Sequence, residues 1–201
     1  MAGEVRVGRR ITVYGPSGSG KSTLAEELGE RLGLPVIDLD HVYHRGPTWD
    51  DDLTTEEFRA AVGELMAQYP DGWVIAGNYS TVRDLILPHA ETAIWLDLPF
   101  LTVYRRLAWR TVSRAITGAE LFNGNRESLK QTFLSRESML LWGITAWKLH
   151  HRNLRAALAA PGLSARVYVL KTPGQARYLT ENARIGLSES GTMPGDPTGG
   201  G

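Results

Sequence analysis

The run Gly15-Pro16-Ser17-Gly18-Ser19-Gly20-Lys21-Ser22-Thr23 sets glycines ahead of a lysine and two hydroxyls. It fits G-x-x-x-x-G-K-[ST] in full. Glycines let backbone N–H groups converge on an anion, and Lys21 adds a compact positive charge. Ser22 offers its hydroxyl to Mg²⁺, and a helix starting here presents its positive end. Gly15, Ser17, Gly18, Ser19, Gly20, Lys21, Ser22 and Thr23 are therefore expected to hold the phosphates of ATP.

Two carboxylates form the next constellation. Asp38 and Asp40 flank Leu39 at the end of a short apolar run. On an extended chain a spacing of two turns both to one side. At the carboxyl end of a strand they would face a ligand. Asp38 is expected to support Mg²⁺ through water, and Asp40 to orient or deprotonate an acceptor hydroxyl. Tyr43, His44 and Trp49 follow as lining for an acceptor pocket, with a packed loop as the equal alternative. Gly77, Asn78 and Tyr79 close another apolar run, with Arg83 soon after. The glycine permits close approach, and the next side chains can bond or stack on a substrate.

Cations supply the third group. Arg106, Arg110 and Arg114 recur at spacing four, one stripe of a helix over 100–116 that contains no Asp or Glu. Like charges so placed repel by a few tenths of a kcal/mol each. An arriving triphosphate would relieve that. Lys171 and Pro173, in the turn after the last apolar run, are placed near the nucleotide base.

These groups need elements to position them. Short apolar stretches at Ile11–Tyr14, Pro35–Asp38, Trp73–Ala76, Thr92–Leu96 and Arg166–Leu170 read as strands. Helical patterns at Lys21–Leu32, Thr54–Tyr69, Thr81–Leu87 and Gly174–Gly186 separate or follow them. Thr54 with Glu57 forms a capping box, as does Ser128 with Gln131. The stretch from 128 to 160 is too long for one ordinary helix, so a break is expected near Ser135 or Gly143. Residues 40–52 read as loop. Alternation of strand and helix predicts a parallel sheet with right-handed crossovers. One domain over 1–186 is expected, with a disordered tail at 187–201 where Gly and Pro dominate.

Composition narrows the function classes. The 201 residues have zero net charge, so bulk attraction to nucleic acid or membrane is not expected. There is no cysteine, in keeping with a cytoplasmic protein. No run approaches the ~20 apolar residues of a membrane span. The N-K-x-D motif of switch GTPases is absent, and the length is short for a motor.

Taken together, GPSGSGKST, IDLDHVYHRGPTW, GWVIAGNYS, AIWLDLP with RRLAWR, and NGNRESLKQTFLSRES resemble the adenylate-kinase-related phosphate-loop kinases over residues 10 to 175. They are particularly similar to the topology modulation protein family. The resemblance implies an α/β, three-layer P-loop NTPase fold: a five-stranded parallel sheet in the order 2-3-1-4-5, helices on both faces, and a helical lid at about 115–136. It implies that Arg106 and Arg110 lie near the adenine and that Arg126 and Arg136 neutralise the transferred phosphoryl. One departure stands out. An Asp that supports Mg²⁺ in adenylate kinases is replaced by Ala76, so Asp38 would have to take over. The expected function is ATP·Mg²⁺-dependent phosphoryl transfer to a small molecule, a nucleotide or nucleoside among the options, by a monomer or homodimer. Lys21, Asp40, Arg110, Arg126 and Arg136 would be catalytic. The alternative is an ATP-binding regulatory or nucleic-acid-associated protein using the basic segment 104–155, although no nucleic-acid-binding motif supports it.

Overall fold

The computed structural model describes residues 3–44, 52–99, 102, 103, 149 and 151–186. Its centre is a sheet whose strands alternate side chains between two buried faces. Strands β1 (Val5–Val7), β2 (Arg10–Tyr14), β3 (Val36–Asp38), β4 (Trp73–Ala76), β5 (Thr92–Leu96), β6 (Arg166–Leu170) and β7 (Ala183–Ile185) follow in chain order. Five of them form one sheet in the order β3-β4-β2-β5-β6, every neighbour parallel. These are the five strands read from the sequence.

Two apolar layers explain why such short strands hold. Tyr14, Ile37, Trp73, Ile75 and Trp95 point to one face, where they meet Phe58, Val62, Ile86 and Leu154. Ile11, Val13, Val74, Ala76, Ile94 and Leu96 point to the other and meet Leu24, Leu28 and Leu179. Covering both faces is what a parallel sheet requires.

Helix α1 (Lys21–Leu32) crosses between β2 and β3, and Gly33 ends it in the left-handed conformation. Helix α3 (Thr55–Gln68) starts with the expected Thr54–Glu57 capping box. Helix α4 (Arg83–Ile86) is one turn between 3₁₀ segments at Ser80–Val82 and Leu87–His89. Residues 151–158 are helical, and α5 (Pro173–Asn182) packs against α1.

Two expectations need correction. Residues Leu39–Tyr43, read as loop from Asp40 onward, form a short helix, α2. Its start is fixed by an Asp cap rather than by any repeat visible in five residues. The last helix ends at Asn182, not Gly186, because Ala183–Ile185 pairs in parallel with Val5–Val7 as a second, two-stranded sheet. That pairing buries Val5, Val7 and Ala183, and the Tyr168 hydroxyl donates to the Arg6 carbonyl at 2.6 Å beside it. The lid region 115–136, the break beyond 128, the Ser128–Gln131 box and the tail 187–201 lie outside the described residues.

Close approach sets where α1 stands. A Cβ at Gly29 would collide with Val36 Cγ2 and lie 2.9 Å from the Leu34 carbonyl oxygen. At Gly63 in α3 the nearest atom to an added Cβ is 3.9 Å away. Gly63→Ala should therefore raise stability by about 0.5–1 kcal/mol through helix propensity. Gly29→Ala should lower it by about 1–3 kcal/mol through overpacking. Urea midpoints of the two variants check this, and equal gains from both would contradict it.

Candidate active site

Three strands deliver their carboxyl ends to one place. β2 ends in Tyr14 and runs into the glycine loop. Gly18 and Gly20 have φ of 80° and 93°, open to glycine at little cost, and Gly20 is the N-cap of α1. An added Cβ on Gly15 would lie 2.6 Å from Ser19 Oγ and 3.0 Å from Leu96 Cβ, so the loop packs directly on the end of β5. Lys21 and Ser22 open the helix behind it.

β3 brings the acidic pair. Asp38 ends the strand and caps α2, its Oδ1 accepting the Asp40 N–H at 2.9 Å. Its Oδ2 accepts the Ser22 hydroxyl at 2.7 Å. His41 Nδ1 lies 4.0 Å from the same oxygen. Asp40 Oδ2 is 3.4 Å from Lys21 Nζ, whose side chain is only 12% exposed. The two carboxylates do converge, but not through a strand pleat. Asp40 sits in the first turn of α2, and a cap turns the chain between the pair.

β4 contributes Gly77, whose N–H donates to the Val13 carbonyl at 3.2 Å. With φ at 157° and an added Cβ only 2.6 Å from Leu39 Cβ, Gly77 lets the end of β4 touch the start of α2. Tyr79 is thereby carried towards the acidic pair. Its phenol is pushed well above the usual range, first by burial, then by the nearby Asp40 charge. Tyr43 lies beside it with ring centroids 5.3 Å apart. His44 Nδ1 and Asp52 Oδ1 meet at 2.6 Å, joining the two ends of residues 45–51.

Arg83 occupies the floor of the same edge. It is 9% exposed, and its guanidinium lies 5.9 Å from the centre of the Tyr14 ring. Nη2 reaches Asn78 Oδ1 at 3.5 Å, while Nε is buried with no partner among the described residues. No carboxylate of those residues stands within ion-pair distance of it. Burial pushes the Tyr14 phenol up to about 12, with the Thr12 hydroxyl and the Arg83 charge opposing.

Not every expected residue gathers here. Lys171 and Pro173 stand at the end of β6, separated from β2 by β5. The Lys171 N–H donates to Gln175 Oε1 at 2.7 Å and Pro173 opens α5, so both serve a helix cap. Arg106, Arg110, Arg114, Arg126, Arg136 and Trp49 lie outside the described residues. One pairing escaped the sequence reading. His151 Nε2 bonds Asp97 Oδ1, and the His151 ring lies tilted against Trp95 with centroids 4.6 Å apart. It ties the chain leaving β5 to the helix at 151–158. The partners are 54 residues apart, so no local pattern announces it.

The arrangement suits a hard cation shared with phosphates. No cluster of three or more His, Cys, Asp or Glu able to hold a metal occurs among the described residues. Mg²⁺ needs none, since one or two protein oxygens complete a shell of phosphate and water. Ser22 Oγ and Asp38 Oδ2 are such oxygens, 2.7 Å apart. Asp38 also lies opposite Ala76 in the β3–β4 register. The carboxylate missing from β4 is thus offered one strand over. No helix of the described residues is long and apolar enough to cross a membrane.

Comparison with known proteins agrees with this layout. A shikimate kinase of Persephonella marina is 25% identical over 144 residues, 65% of this chain and 83% of its own length. A cytidylate kinase of Halobacterium salinarum is 34% identical over 115 residues, covering 50% of this chain and 57% of its own. The solved shikimate kinase of Acinetobacter baumannii, in complex with shikimate, superposes with a TM-score of 0.50 at 19% identity over 89% of this chain and 90% of that one. Residues 11–129 match the family described as AAA domain. The chain belongs to that family, and within it is a phosphate-loop protein related to small-molecule kinases.

Proposed function

We propose that this protein transfers the γ-phosphoryl group of ATP to a hydroxyl of a small, anionic acceptor. The observation that carries this reading is the meeting of Lys21 with Asp40 at 3.4 Å, a donor-loop cation beside an acceptor-side carboxylate. The acceptor oxygen bonds to the γ-phosphorus as the bond to the β–γ bridging oxygen breaks, and ADP leaves. The hydroxyl proton passes to Asp40 and then to solvent. Lys21 and the loop amides hold the phosphate oxygens as charge moves onto the leaving group. Ser22 and Asp38 are the residues that would hold Mg²⁺, which supplies charge neutralisation on the phosphates.

Arg83 defines the acceptor. Arg83 has no counter-charge among the described residues; a buried guanidinium so placed is costly, and its unused donor suits a carboxylate or phosphate. Shikimate and cytidylate, which name two of the relatives, are both anions. Asn78 orients Arg83, and Gly77, Tyr43 and Tyr79 shape the pocket around Asp40. Arg110, Arg126 and Arg136 are assigned to close over the phosphates, and Arg106, Lys171 and Pro173 to the nucleoside side. Residues 1–186 act as one domain, as a monomer or homodimer in the cytoplasm.

Two measurements check this. ADP release is followed with a panel of hydroxy acids and phosphorylated alcohols. Lys21→Ala should cut turnover by about 100-fold or more. Asp40→Asn should cut acceptor-dependent release by about 10²- to 10⁴-fold while leaving binding of an ATP analogue unchanged. Equal turnover in Asp40→Asn and wild type contradicts the assignment. In the second, Arg83→Met should lower kcat/KM for anionic acceptors by about 10- to 150-fold, the worth of one charge-assisted bond. Its thermal stability should hold or rise, because the variant removes a buried charge that has no acidic partner among the described residues. An unchanged preference for anions would remove Arg83 from the acceptor site.

A further inference from the structure

Two donors at the carboxyl edge of the sheet are buried with their hydrogens unused. The Tyr14 hydroxyl has no hydrogen-bond partner among the described residues, and neither has Arg83 Nε. Tyr14 is 1% exposed and Arg83 9%, so bulk water does not stand in for a partner. The Thr12 hydroxyl, two residues before Tyr14 on the same strand face, is unpartnered too and makes no bond to it. The contact from Arg83 Nη2 to Asn78 Oδ1 is long, at 3.5 Å. A buried donor left unmade costs its full desolvation, and native interiors keep few of them. Tyr14 and Arg83 come from separate elements, and the fold brings them together.

Their placement points to a ligand. The Arg83 guanidinium carbon lies 5.9 Å from the centre of the Tyr14 ring. Attraction between cation and ring accounts for that approach. It uses neither the Tyr14 O–H nor the Arg83 Nε–H. Tyr14 precedes Gly15, the first residue of the phosphate loop, and Val13 pairs with Ala76 just before Gly77 and Asn78. Both donors are thus carried by chains that leave the sheet at the edge where Lys21 meets Asp40. We propose that Tyr14 is a specificity-determining residue, whose hydroxyl and Arg83 Nε together receive one oxyanion of the acceptor, a carboxylate or a phosphate. This rests on the reading of Arg83 given above, and it adds the second donor of that subsite. A single cation selects charge. Two donors from different elements also select where that charge sits relative to the acceptor hydroxyl. Burial pushes the Tyr14 phenol up to about 12, so the hydroxyl keeps its proton and donates at neutral pH. Filling the subsite satisfies both donors at once.

Tyr14→Phe keeps the ring beside the guanidinium and removes the hydroxyl alone. Two readouts on the full chain need no turnover. Without ligand, Tyr14→Phe should melt at or above the wild-type temperature, because it deletes a buried hydroxyl that has no partner among the described residues. A clear fall means that the hydroxyl is already bonded in the free protein, and overturns the proposal. With ¹⁵N-arginine labelling, the Arg83 Nε resonance, identified by its loss in Arg83→Met, is titrated with glycolate and with inorganic phosphate. The anion that saturates the shift at the lower concentration tells a carboxylate subsite from a phosphate one. Its Kd should rise by about 10-fold or more in Tyr14→Phe, the worth of one hydrogen bond to a charged group. Equal Kd in both proteins, or no movement with either anion, overturns the proposal. In the ADP-release assay, KM for anionic acceptors should rise by the same factor while ATP-analogue binding is kept, and an unchanged KM overturns it as well. If wild type turns over no acceptor of the panel, the proposed function fails, and the titration alone decides the role of Tyr14.

Discussion

The hydrogen bond from Ser22 Oγ to Asp38 Oδ2 is the contact on which the rest of the site depends. It joins the first turn of α1 to the last residue of β3. The other oxygen of the same carboxylate caps α2, and so decides where Asp40 points. One side chain thus sets the distance between the phosphate loop and the acidic pair. A carboxylate here also answers the substitution at Ala76, since the two residues are partners across the β3–β4 register.

Missing side chains matter as much as present ones. Gly15 lets the loop lie on Leu96, Gly29 lets α1 lie on Val36, and Gly77 lets the end of β4 lie on Leu39. Gly15 and Gly77 remove a Cβ at the carboxyl edge of the sheet, and Gly29 does so at the opposite edge, beside the first residue of β3. The site is therefore compact for a backbone reason before any charge is considered. Charge then follows the same edge. Asp38 and Asp40 stand with Lys21 and Ser22, and Arg83 lies beneath them against Tyr14 without an acidic partner among the described residues.

Much of this was legible in the sequence. Five strands could be read because each is a short apolar run bounded by Gly, Pro or polar residues, as burial on both faces demands. The glycine loop was legible because its chemistry is local. The acidic pair was found through the wrong geometry: a strand pleat was expected, and a helix cap was built. Five residues carry too little periodicity to reveal α2, and the Asp that starts it reads equally well as a ligand. The pairing of Val5–Val7 with Ala183–Ile185 and the His151–Asp97 contact join segments far apart in the chain, and only tertiary packing brings them together. Arg83 was found as a basic residue near a turn. Its burial, which gives it meaning, comes from packing against Tyr14 at the end of β2, far away in the chain.

If Ser22 and Asp38 form the metal-supporting pair, nucleotide affinity must depend on both Mg²⁺ and Asp38. The most direct measurement is calorimetric titration of a non-hydrolysable ATP analogue, with and without Mg²⁺, into wild type and Asp38→Asn. Mg²⁺ should tighten binding to wild type, and most of that gain should vanish in Asp38→Asn while metal-free affinity is kept. An equal gain from Mg²⁺ in both proteins would contradict the account.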